Sequence, residues 1–208
     1  AAGDYTFEYT TSGTAPCIDD VSEFTISVIA APVVNAGPDQ SICIGDATTV
    51  NATGDPATYV WDPIGIFNGV PFTPGVGIVT YTVTAANPEG CVSTDDLVIE
   101  VHALPNISFT ASDLEGCTPF ETEFTISSDV AIVGTDWFFG DGDVIIGSTT
   151  PTVAHTYLYG GLYDVRATVV DVFGCVNSVE YSDYITVEDQ PIARFTMNPP
   201  SVFTNDTE

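Results

Sequence analysis

The chain alternates apolar and polar residues over short runs, which is the pattern of half-buried β-strands. In the clearest run, threonines alternate with Tyr81, Val83 and Ala85, so the two sets face opposite sides of a strand. Similar runs cover Thr6–Thr10, Leu97–Val101, Phe120–Ile126 and Tyr163–Val169. The intervals hold Gly, Pro, Asn and Asp, as turns require, and no segment has the period of an amphipathic helix. The pattern predicts an all-β fold built of small β-sandwiches.

Three segments repeat one order of features: a Gly before an aromatic strand, a Cys, an acid-dotted strand and a Pro. They begin at Gly3, Gly77 and Gly161, with cysteines Cys17, Cys91 and Cys175 and prolines Pro32, Pro105 and Pro191. The prolines lie 73 and 86 residues apart, which is the size of a small sandwich, and such self-similarity indicates an array. We expect four parts: 1–31, the C-terminal part of a preceding domain; 32–104 and 105–190, two whole domains; and 191–208, the first strand of a following domain.

Within the two whole domains the alternation and the turn residues predict twelve strands. In the first domain these are Val33–Ala36, Ser41–Ile44, Thr48–Thr53, Thr58–Trp61, Ile78–Ala86 and Val92–Val101. In the second they are Ile107–Ala111, Glu121–Ile126, Val133–Phe139, Val153–Tyr157, Tyr163–Val172 and Val176–Val187. The junctions are short and contain proline, which restricts φ, so we expect little freedom between successive domains.

The chain is strongly acidic: it has 29 acidic residues and only two basic ones, Arg166 and Arg194. Nucleic-acid binding depends on Lys and Arg neutralising phosphates, so we exclude it. An acidic surface keeps proteins apart in solution and attracts divalent cations. No apolar stretch reaches the roughly 18 residues of a membrane span, so we expect no direct membrane insertion and any anchoring signal to lie outside this stretch.

The five cysteines follow the repeat, with one near the start of each whole domain and one after its aromatic strand. This placement predicts disulfides Cys43–Cys91 and Cys117–Cys175, with buried free thiols as the alternative, and a partner for Cys17 in the missing part of its own domain. One disulfide per small domain indicates an oxidising, extracellular or cell-surface location.

The sharpest motif is Trp137-Phe138-Phe139-Gly140-Asp141-Gly142-Asp143, followed by Pro151, His155, Tyr157 and Gly161-Leu162-Tyr163-Asp164-Val165. It resembles the PKD (polycystic kidney disease) domain over Pro105 to Gln190, with Phe138 in place of the usual Asp. The residues predict an aromatic strand that enters a tight glycine turn, with Trp137 in the core and Asp141 bonding local backbone. The resemblance implies a structural role for His155. Tyr5, Tyr81 and Tyr163 are assigned to one repeat position, where a Tyr hydroxyl can bond nearby backbone.

The first whole domain is a looser relative. Its residues 36–43, the Tyr59-Val60-Trp61 strand, the 80–84 strand and Gly90-Cys91 resemble the PKD-like and immunoglobulin-like repeats of large bacterial surface proteins. Such repeats are frequent in adhesins of gliding bacteria that use type IX secretion, which implies that cellular context. Together the two resemblances imply tandem immunoglobulin-like β-sandwich domains in an extended string, with 1–31 from a preceding Ig-like domain, 32–104 an Ig-like or PKD-like domain and 105–190 a PKD domain.

Candidate cation ligands are Asp141 and Asp143 in the motif turn and the Asp95-Asp96 pair, which follows Cys91 as Asp19-Asp20 follows Cys17. Calcium takes several oxygen ligands, so it is the candidate cofactor. A turn-building role for Asp141 and a solvent-facing acidic strand at Asp95-Asp96 are the competing interpretations, and the third repeat has Ser178-Val179-Glu180 at the latter place.

No catalytic triad, zinc motif or phosphate loop is present, and we expect no enzyme. We expect a structural stalk or filament segment of a large secreted or cell-surface adhesin, whose partners are neighbouring domains of the same chain. The alternatives are a glycan- or protein-binding module, an accessory domain of a secreted hydrolase, and self-association into filaments by donation of the strand Ala193–Met197.

Overall fold

The computed structural model describes residues 1–55 and 58–194 of the 208-residue chain. These residues form β-strands joined by turns, with no helix among them. The part of the chain that the structure describes therefore contains no helix long and apolar enough to cross a membrane.

The chain divides into two compact units, each with its own sheets. The first unit is Ala1–Leu104 together with the short segment Phe173–Cys175, and the second is Pro105–Val172 together with the chain from Val176. The division falls at the proline where the sequence places a junction.

The first unit begins with a two-stranded antiparallel sheet, β1 (Gly3–Thr11) and β2 (Asp20–Val28). It continues with β3 (Val34–Asn35), β4 (Gln40–Cys43), β5 (Thr53–Gly54), β6 (Thr58–Asp62), β7 (Gly77–Ala86) and β8 (Val92–His102). One sheet has the order β4-β8-β7-β6, in which β4 runs parallel to β8, and β3 pairs with β5. Its core contains Ala36, Val50, Ala52, Trp61, Tyr81, Val83, Leu97, Ile99 and Val101.

The second unit contains β9 (Ile107–Ala111), β10 (Glu115–Cys117), β11 (Phe120–Ser128), β12 (Ile132–Phe138), β13 (Val144–Ser148), β14 (Thr152–Tyr157), β15 (Gly161–Asp171) and β16 (Val176–Glu188). Its sheets have the orders β10-β16-β15-β12-β13 and β14-β11-β9, and β10 runs parallel to β16. The core between them is rich in aromatic side chains: Phe109, Phe124, Trp137, Phe139 and Tyr157.

The predicted alternation is confirmed in both units. Tyr81, Val83 and Ala85 are buried while the threonines between them are not, because successive side chains of a strand point to opposite faces. Eleven of the twelve predicted strands match observed strands to within a few residues. Predicted strand Thr48–Thr53 is wrong for most of its length, since Thr48 makes an isolated bridge to Phe72 and β5 starts at Thr53.

Two strands have no counterpart in the prediction. Strand β10 has three residues with a glycine in the middle, and β13 contains Gly147, so neither shows a run of alternating side chains. Predicted strand Ala193–Met197 lies largely outside the described residues.

The predicted cysteine pairing is wrong. Cys43 is bonded to Cys175, with 5.6 Å between their Cα atoms, and Cys17, Cys91 and Cys117 are free. Strand geometry explains the error. Cys43 lies beside His102 at the end of β8, whereas Cys91 directly precedes the first residue of that strand. Eleven residues at about 3.3 Å each separate the two ends by roughly 35 Å, far beyond the roughly 7 Å that a disulfide spans between Cα atoms.

The same geometry excludes a bond between Cys117 and Cys175. Cys117 lies beside Glu188, the last residue of β16, and Cys175 directly precedes its first residue. The sequence gives the order of the cysteines along the chain but not the end of the sheet at which each one lies.

Candidate functional site

The Trp-to-Asp motif forms the end of β12 and the turn that follows. Trp137 points inward and is fully buried in the core of the second unit, as predicted, and Phe139 is buried beside it. Phe138, between them, points outward and carries the Arg166 guanidinium 4.2 Å from its ring centre. The residue that departs from the PKD pattern thus binds one of the two basic side chains of the protein.

Glycine is required in this turn, which comprises Gly140–Asp143 and is called the motif turn below. Gly140 and Gly142 have φ values of 87° and 101°, in the left-handed region that other residues rarely adopt. A Cβ atom at Gly140 would also lie 2.5 Å from the backbone oxygen of Asp164. The backbone of β15 therefore packs directly against the turn.

Asp141 holds the motif turn together. One of its carboxylate oxygens accepts a hydrogen bond from the N–H of Asp143 at 3.1 Å, and the other lies 2.8 Å from Nε2 of His155. The His155 ring stacks on Phe139, with 4.0 Å between ring centres. These contacts are the ones that the turn-building interpretation of Asp141 requires, and they place His155 between the core and the turn.

Two tyrosines complete the cluster. The Tyr157 hydroxyl donates to the backbone oxygen of Phe139 at 3.1 Å, and its ring stacks on Tyr163 with 4.4 Å between centres. Burial raises the pKa of the Tyr157 phenol well above its ordinary value, and the carboxylate of Asp141 and the hydroxyl of Tyr163 raise it further. Burial also raises the pKa of Tyr163, followed by the charges of Asp141 and Asp189.

The assignment of three tyrosines to one repeat position is correct for two of them. Tyr5 and Tyr163 each follow their glycine by two residues, and each donates to the backbone oxygen four residues earlier, both at 2.7 Å. Tyr81 follows Gly77 by four residues and pairs across the sheet with Leu97, deeper in the core. Burial raises its pKa.

Of the candidate cation ligands, the structure brings Asp141 and Asp143 together with a third ligand-type side chain. Within the described ranges, the one group of three ligand-type side chains is Asp141, Asp143 and His155, whose ligand atoms lie within 4.8 Å of one another. Two carboxylates and an imidazole, with Asp141 already bonded, offer fewer oxygens than the six to eight that calcium takes. The residues therefore fit a structural turn better than a calcium site.

Asp95 and Asp96 are adjacent in β8, so their side chains point to opposite faces of the sheet. Asp95 is half-buried and accepts a hydrogen bond from the backbone N–H of Ala36 at 2.7 Å, while Asp96 is exposed. The two carboxylates are not brought together, and Asp95 serves to hold the segment after β3.

The two units repeat a pair of contacts that sequence reasoning did not find. Two residues after Cys91 and Cys175, a polar side chain donates to the carbonyl of the first proline of the predicted domains 32–104 and 105–190: Ser93 to Pro32 at 2.6 Å and Asn177 to Pro105 at 2.9 Å. At the other end, the N–H after each edge-strand cysteine donates to the last residue of the final strand: Ile44 to His102 at 2.8 Å and Thr118 to Glu188 at 2.9 Å. In the sequence, the only sign of the first contact is that Ser93 and Asn177 each follow a cysteine by two residues, and the two residues differ in chemical type.

Comparison with known proteins agrees with this geometry. Residues 102–187 match the PKD domain family. The matched segment contains the motif turn, His155 and Tyr157, and it covers most of the second unit. No significant sequence match is found among curated proteins.

Among solved structures, the chain is similar to the N-terminal eight Ig domains of Down Syndrome Cell Adhesion Molecule isoform 1.30.30, at 15% identity and a TM-score of 0.51. The similarity covers 88% of this chain and 31% of that one, so the chain spans less than a third of the length of this relative. At this identity the likeness shows the fold alone, and it confirms the predicted immunoglobulin-like class.

Two further likenesses are weaker. Titin domains I67–I69, in an E-to-A variant, match at 15% identity and a TM-score of 0.42, over 81% of this chain and 69% of that one. A 1.5-MDa bacterial ice-binding adhesin matches at 13% identity and a TM-score of 0.40, over 77% and 66%.

Proposed function

We propose that the chain is a non-catalytic structural segment of a large secreted or cell-surface adhesin, in which 1–31, 32–104, 105–190 and 191–208 are parts of four successive domains. Its role is that of a stalk that holds other parts of the protein away from the surface. The domains have little freedom because the connection at Leu104–Pro105 contains no linker tract.

The observation that carries the proposal is the pair of contacts repeated in both units. In each of the proposed domains 32–104 and 105–190, the first proline is bound by a side chain two residues after the hairpin cysteine, and the end of the last strand is bound by the edge strand. Both ends of each proposed domain are thereby held in defined places, which is what a spacer built from successive copies requires.

The histidines support a role without catalysis. His155 is stacked on Phe139 and bonded to Asp141. His102 lies 2.9 Å from the Ser41 hydroxyl and stacks on Phe173. These are the two histidines of the chain, and each is engaged in a structural contact.

Charge and disulfide chemistry support the location. A formal net charge of −27 favours repulsion between neighbouring stalks and opposes binding to nucleic acid. The Cys43–Cys175 bond suits an oxidising compartment. The resemblance to repeats of gliding bacteria adds type IX secretion to the proposal.

A second candidate, a binding module, is favoured by one observation. Tyr5, Phe7 and Tyr9 alternate along one face of β1, Phe24 stacks on Phe7, and all four are exposed by 42% or more. An exposed aromatic row can stack on a sugar or a partner protein. The same alternation is buried in β7 and β15, so the row also fits the inner face of a sandwich.

Distance measurements test the spacer role. We would place spin labels through clickable amino acids at Val60 in β6 and Ile146 in β13, both well exposed and one in each unit. We expect a single narrow distance distribution by pulsed electron paramagnetic resonance. A broad distribution, as wide as that of a Cys43→Ser variant with a Gly/Ser tract inserted after Leu104, would contradict a semi-rigid spacer.

The binding alternative and the location have separate tests. Glycan-array binding that is lost in Phe7→Ala would favour the binding module. Antibody labelling of intact cells that make the protein tests the surface location.

A further inference from the structure

The cysteines of the two units occupy two kinds of position. The edge-strand cysteines, Cys43 and Cys117, end β4 and β10 beside the last residues of β8 and β16. The hairpin cysteines, Cys91 and Cys175, stand between the two long strands, next to the side chain that holds the opening proline. The observed disulfide joins one cysteine of each kind, Cys43 and Cys175.

The chain path explains this choice. Cys43 lies beside His102, and three residues later Pro105 opens the second unit, where its carbonyl is bound by Asn177. Asn177 follows Cys175 by two residues. The edge-strand cysteine of one repeat and the hairpin cysteine of the following repeat are therefore attached to the two ends of the same short connection.

A second observation places the free cysteine Cys91 in the same relation to the preceding repeat. Strands β2, β8 and β16 can be aligned by their pairing with the strand before them. The first glycine of that preceding strand pairs with Val28 in β2, with Val101 in β8 and with Val187 in β16. Ile29 is thus the equivalent of His102. The Cys91 sulfur lies 3.8 Å from the backbone oxygen of Ile29, and the neighbouring Asn87 amide donates to Ala30. Cys91 occupies the place after β2 that corresponds to the place of Cys175 after β8.

We propose that disulfides in this protein are staggered, each joining the edge-strand cysteine of one repeat to the hairpin cysteine of the following repeat. Cys117 is exposed and lies beside Glu188, which is three residues before Pro191. Cys117 then bonds the hairpin cysteine of the repeat that follows residue 190. Cys91 bonds the edge-strand cysteine of the repeat that ends in β2. The inference rests on the tandem arrangement under the proposed function but not on a role in adhesion.

The chemistry is thiol–disulfide exchange. Two thiols lose two protons and two electrons as one S–S bond forms, and a small-molecule or protein disulfide accepts them and is reduced to two thiols. The hairpin cysteine supplies one sulfur and the edge-strand cysteine the other, so each repeat takes part in two bonds.

An extended chain tests the pairing. Residues 105–208 are appended once more after Gln190, and the appended copy carries Leu114→Val and Val176→Ile, conservative changes at exposed positions that label its Cys117 and Cys175 peptides by mass. The 208-residue chain and the extended chain are oxidised in a mixture of reduced and oxidised glutathione, alkylated, digested and mapped by mass spectrometry.

In the 208-residue chain we expect Cys43 linked to Cys175, and Cys17, Cys91 and Cys117 alkylated. In the extended chain we expect the first Cys117 to lose its alkylation and to be linked to the labelled Cys175. The matched control, Cys117→Ser in the first copy, should restore alkylation of the labelled Cys175 and leave the Cys43 link in place.

Three results would overturn the proposal: a link between Cys117 and the unlabelled Cys175, a link between two separate chains, or a first Cys117 that stays alkylated. Absence of the Cys43–Cys175 link would overturn it as well, because the stagger is inferred from that bond. A broad spin-label distance distribution would contradict the spacer role without touching this pairing, so the two proposals fail separately.

Discussion

At Asp141 a single carboxylate bonds two partners, the Asp143 N–H and the His155 ring, and so fixes the motif turn to β14. Asp143, two residues on, contributes its backbone to the turn: its carbonyl accepts from the Phe139 N–H. The turn thus uses the carboxylate of Asp141 but only the backbone of Asp143. Comparing the two acids therefore distinguishes a structural turn from a cation site.

We expect Asp141→Ala to lower the free energy of unfolding by about 1–2 kcal/mol, because two hydrogen bonds to a charged group are lost. Asp143→Ala is the matched control and should change it much less. Urea unfolding with and without a chelator measures both effects. Equal losses for the two variants, or a midpoint that falls when calcium is removed, would favour a cation site over a turn.

Tyr157 predicts a loss of stability at alkaline pH. A phenol becomes charged when it loses its proton, and the pKa of Tyr157 in the folded protein is raised above the value of about 10 in an unfolded chain. As pH rises above about 10, the unfolded state therefore loses this proton first, and the free energy of unfolding falls; below that pH the effect is absent.

Urea unfolding between pH 8 and pH 11 measures this fall. Tyr157→Phe should unfold about 1 kcal/mol more easily at pH 8, because its hydrogen bond to Phe139 is lost, but should show a shallower fall above pH 10. An equally steep fall in the variant would assign the effect to other groups.

Among the elements, the long hairpins β7–β8 and β15–β16 were predictable because one face of each strand is buried and the other is not. Trp137, the motif turn and the Gly90 and Gly174 turns were predictable for a similar reason, since local geometry demands those residue types. Strand β10 was not, because three residues in parallel pairing leave no alternation. The cysteine pairing was not, because it depends on the end of the sheet at which β4 and β10 are placed.

The contact between each hairpin and its opening proline is an element-scale feature with its own test. We expect Asn177→Ala to destabilise the second unit by about 1 kcal/mol, since its side chain donates to the Pro105 carbonyl. Ser178→Ala changes an exposed neighbour and serves as the control. Hydrogen exchange of the amides in β9 and β16 should accelerate in the first variant only. Unchanged exchange in Asn177→Ala would show that the contact does not hold the start of the unit.

For the molecule as a whole, the same end contacts occur in both units, while the match to a domain family covers residues 102–187. The second unit has an aromatic core, with Phe109, Phe124, Trp137, Phe139 and Tyr157 in mutual contact. The first has one buried tryptophan and a smaller core. Contacts at the ends of the strands are thus shared where the core residues differ.

The Cys43–Cys175 bond changes how the chain transmits mechanical load. When the termini are pulled apart, tension passes from Cys43 to Cys175 through sulfur, and the 132 residue steps between them carry none of it. At about 3.4 Å per residue this removes on the order of 450 Å of extensible length. Single-molecule stretching should show that difference between the oxidised and the reduced chain, and equal extensions would show that the bond does not form. Strands β7 and β15 lie inside the bypassed stretch and carry no direct load, whereas β16, which pairs with β15, follows Cys175 and remains under tension.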